Sequence, residues 1–489
     1  MILISKKMKN RIINIYSLAL LAIVGSLTAC DKQLDLAPED TTVESEVFQT
    51  SGSAESALMD VYNKTYEANK STAYTIGDVS TRLIEVTSTY SMALVSGNLL
   101  TDDYSAEQIW SDTYSAINVA NVIIKSVPEL GTYNEDLERQ HVAEAKFLRA
   151  YNYLVLLKLF GDGALQGKMD GLGLPLQLTP YAGTEFVSNN ALERSSNDKV
   201  YVQIIKDLTD ALPDLIENYD VDLETRARAT QGSVHALLSR VYLYMGKYAK
   251  AAEESAYLIN NSTYTLSANL RSVFPLSSGV DVDLDEEYIY AIPLTFNGGN
   301  HQFGTHYYPY YSRSVGYVSD DYLGKFSGTD QRLTELIWDG NPLSSYNSGK
   351  STTSKFNNKD GRDNIPMIRL SEMHLTRAEA LARTEGENQE SVDLLNRIAE
   401  RADAAFVSFS LEDFATAGDL IDRILLEREK ELAFEGLHRY DIIRTGRKLQ
   451  FRNTDGVYED VPAGRYVLPI PKREIDITKG SLVQNPGYL

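Results

Sequence analysis

The chain has 489 residues, 43% hydrophobic and 24% charged, enough for a large core and far from disordered or collagen-like compositions. Its formal net charge of −21 at pH 7 repels phosphate backbones and anionic headgroups, which disfavours nucleic acid and strongly acidic polysaccharides as partners. Cys30 is the only cysteine, so neither an internal disulfide nor a thiolate metal site is available and stability must come from packing.

The N-terminus is a targeting segment. Lys6, Lys7, Lys9 and Arg11 form a basic region, "IINIYSLALLAIVGSL" an apolar one, and "LTAC" places small residues ahead of Cys30. An apolar stretch of about 17 residues is just long enough to span a bilayer. The lone cysteine behind a leucine and two small residues nevertheless favours a bacterial lipobox over a retained anchor. Residues 1–29 are then the signal peptide and Cys30 the lipidated, palmitate-bearing N-terminus, so that lipid rather than a helix holds the protein to a membrane. Loss of four basic groups takes the net charge to −25. Residues 30–46, acidic and containing Pro38, form a tether.

Helical periodicity governs residues 47–261. In "SAEQIWSDTYSAINVANVIIKSV", Trp110, Tyr114, Ile117 and Ile124 share a face. "NEDLERQHVAEAKFLRAYNYLVLLKLFGDG" is a longer helix that Gly161 and Gly163 stop. Val234, Leu237, Leu238, Val241, Tyr242 and Met245 follow the helical period up to Gly246, and a second helix starts at Tyr248 with Ala251 and Ala252 at the crossing point. "MHLTRAEALARTEGENQESVDLLNRIAER" repeats the pattern, with Gly386 in the turn and Ser391 five residues on, where Ala251 stood. Two such hairpins predict a mainly α fold, a tetratricopeptide-like helical superhelix.

Between the two units, residues 262–365 change character. They are rich in Gly, Ser, Asn, Tyr and Pro, with short strand-like pieces such as "EYIYAIPL" and one helical stretch, "DQRLTELIW". So long a connection inside a compact domain is usually functional. Residues 366–450 are a second helical repeat region, and 451–489 a C-terminal segment that packs on the superhelix.

In "LLEREKELAFEGLHRYDIIRTG", Arg428, Glu431, Glu435 and Arg439 would lie on one helical face as a structural ladder of ion pairs. Glu-x-x-His occurs twice, at Glu138/His141 and Glu435/His438, but a di-iron site needs two further glutamates and a dedicated bundle. No motif requires a cofactor or a metal, although Asp281, Asp283 and Asp285 have the chemistry of calcium ligands.

Five segments in order, "CDKQLDLAPED", "FLRAYNYLVLLKLFGDG", "ATQGSVHALLSRVYLYMGKYAKAAEESAYL", "LLEREKELAFEGLHRYDIIRTG" and "VLPIPKREIDITKGSLVQNPGY", make the chain resemble the SusD/RagB family over nearly all of its mature length. The resemblance implies tetratricopeptide-like helix pairs carrying an irregular ligand-binding region. It also implies a surface-exposed lipoprotein of the Bacteroidota outer membrane, not an enzyme, that captures a glycan and delivers it to a SusC-like TonB-dependent transporter. The acidic residues after Cys30 fit the surface-export signal of such lipoproteins. Family members often present tryptophan as a sugar platform; here Trp110 and Trp338, the only two, are expected in the core.

The ligand surface must therefore come from elsewhere. "HQFGTHYYPYYSRSVGY", residues 301–317, supplies Tyr307, Tyr308, Tyr310, Tyr311 and Tyr317, whose rings can cover the C–H face of a neutral sugar while their phenols reach its hydroxyls. The alternative is that several fill a satellite cluster beneath the loop. Residues 75–104 resemble by position the family loop that supplies polar and aromatic contacts, with Asp78, Arg82, Tyr90 and Asn98 as candidates. A peptide or other nutrient on the same scaffold, a glycoside hydrolase with two carboxylates across a cleft, and a scaffold binding protein alone are the competing readings.

Overall fold

The computed structural model describes residues 44–69, 76–86, 89–181, 193–276, 283–293, 316–339, 349–357 and 363–489, with backbone only for 44–45 and 89–91. The signal peptide, Cys30 and most of the tether lie outside the described residues, as do Tyr307, Tyr308, Tyr310, Tyr311 and Asp281.

The fold is mostly helical, with strands of two to five residues. Its principal helices are α1 (Ser51–Asn69), α2 (Tyr104–Leu130), α3 (Glu135–Phe160), α4 (Asn197–Ala211), α5 (Gln231–Tyr244), α6 (Tyr248–Ile259), α7 (Leu370–Glu385), α8 (Gln389–Ala402), α9 (Ala417–Leu432), α10 (His438–Arg444) and the short α11 (Lys472–Ile477). α1, α2, α3 and α4 pack in series; α5 and α6 form a hairpin, α6 lies against α7, and α7 against α8 and α9. α3 is the central rod. "FLRAYNYLVLLKLF" has apolar side chains on every face, and Phe147, Leu148, Leu154, Leu156 and Phe160 are all buried. Asn134 caps its start by accepting the Leu137 N–H at 3.0 Å, and the chain turns out at Gly161.

Both predicted hairpins are present. Gly246 (φ +68°) and Gly386 (φ +80°) make the turns, positions where a side chain would clash with its own backbone. Ala251 and Ser391 sit at equivalent crossings, and each crossing carries a serine bond: Ser239 Oγ donates to the Ala251 carbonyl at 3.1 Å, and Ser391 Oγ to the Ala378 carbonyl at 2.9 Å. Small residues there let the backbones approach, and the hydroxyl fixes the register.

The described strands form four antiparallel pairs: β1 (Ile84–Val86) with β3 (Gly316–Val318), β2 (Tyr288–Ile292) with β6 (Ile365–Arg369), β4 (Ile337–Trp338) with β5 (Thr352–Thr353), and β7 (Gln450–Arg452) with β8 (Tyr458–Asp460). The β2–β6 pair, Ile292 opposite Ile365, closes the base of the insert. A small second core, with Phe274, Leu284, Tyr288 and Leu336, lies beneath it.

Two expectations are corrected. "DQRLTELIW" is helical only over Gln331–Thr334; Trp338 lies in β4 and is half-buried rather than in the core, whereas Trp110 is 4% exposed. The four-residue ladder does not run along one helix, because α9 ends at Leu432 and the chain turns through Phe434 (φ +67°) and Gly436 (φ +72°). These residues do belong to buried ion pairs and hydrogen bonds, but with other elements. Arg428 pairs with Asp441 at 2.8 Å; Glu431 with Arg369 at 2.6 Å; Glu435 with Arg369 at 2.7 Å and Lys355 at 2.6 Å. Arg439 donates to the Val79 and Tyr466 carbonyls. From the insert, Arg332 reaches Glu427 at 2.6 Å, and Glu287 takes Arg369 and Arg401 at 2.6 Å each. The network nails the irregular insert to α9.

Candidate binding surface

The segment after α1 is irregular because it is pinned at each step. Gly77 lies against Gly436 so closely that a Cβ on Gly77 would sit 1.9 Å from the Gly436 carbonyl oxygen. The Gly77 carbonyl accepts the Arg439 N–H at 2.7 Å, and the Asp78 carboxylate accepts the Gly436 N–H at 2.9 Å. Ser80 Oγ donates to the Val95 carbonyl at 2.6 Å, and the Gln450 N–H to the Ser80 carbonyl at 3.0 Å. Ser80 (φ +62°) and Arg82 (φ +64°) are held in the left-handed region, which is unfavourable for residues with a Cβ.

That backbone aims Arg82 outward while Leu83 goes into the core. β1 then pairs with β3: Ile84 faces Val318, Glu85 faces Tyr317 and Val86 faces Gly316. The N-terminal loop and the end of the tyrosine-rich stretch, more than 200 residues apart in sequence, are thus neighbours. A third segment joins them, since β7–β8 lies beside β1. The Arg82 guanidinium stacks 4.0 Å above the Tyr458 ring and pairs with Asp321 at 3.2 Å, with its side chain 41% exposed. Its Nε has no hydrogen-bond partner among the described residues. The Tyr317 hydroxyl donates to Glu85 at 2.7 Å, Arg452 reaches the other Glu85 oxygen at 2.6 Å, and Lys350 Nζ lies 4.5 Å over the Tyr317 ring. Burial, and then the Glu85 carboxylate, push the Tyr317 phenol up to about 12, so it stays a neutral donor.

The structure therefore brings Arg82 and Tyr317 together and treats the other candidates differently. Asp78 is fully buried, and its carboxylate holds the α9–α10 junction, which takes it away from any solvent-borne ligand. Asn98 is exposed, in a turn to which Arg465 donates through the Gly97 and Leu99 carbonyls. The Tyr90 backbone belongs to the short helix Thr89–Val95. No pattern in the sequence singles out Tyr458, Arg452, Asp321 or Lys350. Each is a lone polar or aromatic residue without periodic or motif context, and pairing of distant strands assembles them. Asp285 is engaged in its own turn, accepting from Ser267 and the Glu287 N–H. His141 pairs with Glu55 and His438 with Glu429, and among the described residues no His/Cys/Asp/Glu cluster is arranged to hold a metal.

Comparison with known proteins then decides the family. The SusD family model matches residues 300–488, and a second, described as starch-binding associating with outer membrane, matches residues 32–243. The chain belongs to the SusD family. SusD-like protein P2 of Formosa agariphila is 24% identical over 79% of this chain and 81% of its own length. A SusD superfamily protein from Bacteroides thetaiotaomicron superposes with a TM-score of 0.76 at 25% identity, covering 89% of this chain and 100% of that one. A SusD-like carbohydrate binding protein from Bacteroides vulgatus superposes with a TM-score of 0.73 at 21% identity, over 88% of this chain and 97% of that one. Among the described residues of this SusD-family chain, no helix is long and apolar enough to cross a membrane.

Proposed function

We propose that this protein captures a neutral oligo- or polysaccharide on the surface around Arg82, Tyr317 and Tyr458, and passes it to a SusC-like TonB-dependent transporter while a lipid on Cys30 tethers it to the outer face of the outer membrane. The observation that carries the reading is the pairing of β1 with β3. It joins the two stretches nominated for ligand contact and sets phenol rings beside guanidinium and ammonium groups. Rings offer stacking faces to a pyranose, and Arg82 N–H groups offer donors to its hydroxyls. Tyr307, Tyr308, Tyr310 and Tyr311 precede β3 by five to nine residues and extend the same aromatic supply. The family description and the lipobox support the outer-membrane placement.

Binding without reaction fits the carboxylates on this surface. Glu85 is committed to Tyr317 and Arg452, and Asp321 to Arg82, which leaves them ill-suited as a general acid and base. Titration calorimetry against neutral glycans, with peptides as controls, tests the assignment. Arg82→Ala, Tyr317→Ala and Tyr458→Ala should each weaken glycan binding at least tenfold, and the Tyr307/Tyr308/Tyr311→Ala variant likewise. Unchanged affinity in all four, or capture of peptides alone, refutes it. Co-purification of the lipidated protein with a transporter of the same membrane tests delivery.

A further inference from the structure

A cleft of about 130 Å³, sharing no lining residue with the surface above, opens between α2, the 175–181 stretch and α11. Trp110, Tyr114 and Tyr181 provide aromatic walls, Gln177 and Thr478 polar edges, and Glu474 a carboxylate. A cavity of roughly 150 Å³ holds benzene, so this cleft suits one six-membered ring or a short alkyl chain.

Its hydrogen-bonding capacity is lopsided. The Tyr114 hydroxyl is spent on the Pro175 carbonyl at 2.9 Å, the Gln177 amide donates to the Thr179 carbonyl at 2.5 Å, and Thr478 Oγ1 donates to the Glu474 carbonyl at 2.8 Å. Glu474 makes no ion pair among the described residues, while neighbouring Arg473 is drawn to Glu107 at 3.2 Å. Burial, opposed by Arg473 and reinforced by Glu107, raises the Glu474 carboxyl above its ordinary value. The site thus presents a carboxylate and π faces, and the Tyr114, Gln177 and Thr478 donors named here are already engaged. A complementary guest has donors, positive charge and little acceptor capacity, which is the description of an ammonium group.

We propose that this cleft is a second ligand site, taking the alkylammonium head of a small amine with its nitrogen on the Glu474 carboxylate and its carbons against Trp110, Tyr114 and Tyr181. The acidic chain concentrates such cations at its surface. Free amines and amino sugars share this chemistry, and the probes separate them.

With Trp338→Phe as background, Trp110 is the only indole, and its emission reports on the cleft. n-Butylammonium and glucosamine are each expected to change that emission saturably, and glucose to leave it unchanged. A response to n-butylammonium alone identifies a free-amine site, and one to glucosamine alone an amino-sugar site. Glu474→Gln should weaken the response at least tenfold without altering thermal stability, since the carboxylate has no ion pair among the described residues, and Tyr181→Ala should weaken it comparably. Arg82→Ala should retain the full response, which separates failure here from failure of the glycan surface. An equal response to glucose, no response to either amine in folded protein, or an unaffected Glu474→Gln variant overturns the proposal.

Discussion

Arg82 combines a backbone conformation that disfavours a side chain with a side chain placed at the proposed ligand surface. Left-handed non-glycine residues carry about 1–3 kcal/mol of strain and gather at binding sites. Arg82→Gly separates the two properties: thermal stability should hold or rise, while glycan affinity falls at least tenfold by calorimetry. Tyr317 offers a second test. Its folded-state phenol lies near 12, above the unfolded value of about 10. The stability this confers is complete below about pH 10 and vanishes as pH climbs toward 12. Denaturant titrations of wild type and Tyr317→Phe should therefore differ at neutral pH and converge in strong alkali.

At the scale of elements, the decisive contacts are those of the 76–86 segment with the α9–α10 junction. Gly77→Ala thrusts a Cβ into the Gly436 carbonyl and should cost roughly 2–3 kcal/mol in denaturant unfolding. Arg369→Met removes a shared cation from Glu287, Glu431 and Glu435, leaving Arg401, Arg332 and Lys355 to serve them, and should cost about 3 kcal/mol. The helical hairpins were legible because their signals are local: a 3.6-residue apolar period ended by Gly246 or Gly386. The break after Leu432 was not, since the first residue to take a positive φ there is the bulky Phe434, two positions before Gly436. The binding surface was half legible. The Arg82 loop and Tyr317 were nominated from composition and resemblance, but Tyr458, Arg452 and Lys350 became partners only through pairing of strands remote in sequence, on which no local pattern bears.

Across the whole molecule, stability without disulfides rests on one large apolar core threaded by buried ion pairs. Burial works against the charged Asp441 and Glu429, yet Arg428 and Arg444 hold the first near 2, and His438 and Lys325 hold the second near 2. Burial also depresses His374 to about 4. All three have folded-state values below their unfolded ones, so their contribution is present at neutral pH. It declines first below about pH 6.5 through His374, then from about pH 4 toward 2 through the carboxylates. Thermal melts should show this two-stage fall, and His374→Leu should remove the upper stage.

The closed base of the insert has a practical corollary. Because Ile292 and Ile365 meet side by side, everything between them leaves and re-enters the body at one doorway, and geometry alone would let a relative's sequence be spliced in to alter what is captured. Arg332 and Lys355 penalise a careless splice: they are the insert's own counterions to Glu427 and Glu435, so a graft lacking them would leave one buried carboxylate to Arg423 alone and the other to Arg369 alone. A chimaera that keeps this pair of cations should melt at a higher temperature than the same chimaera without them.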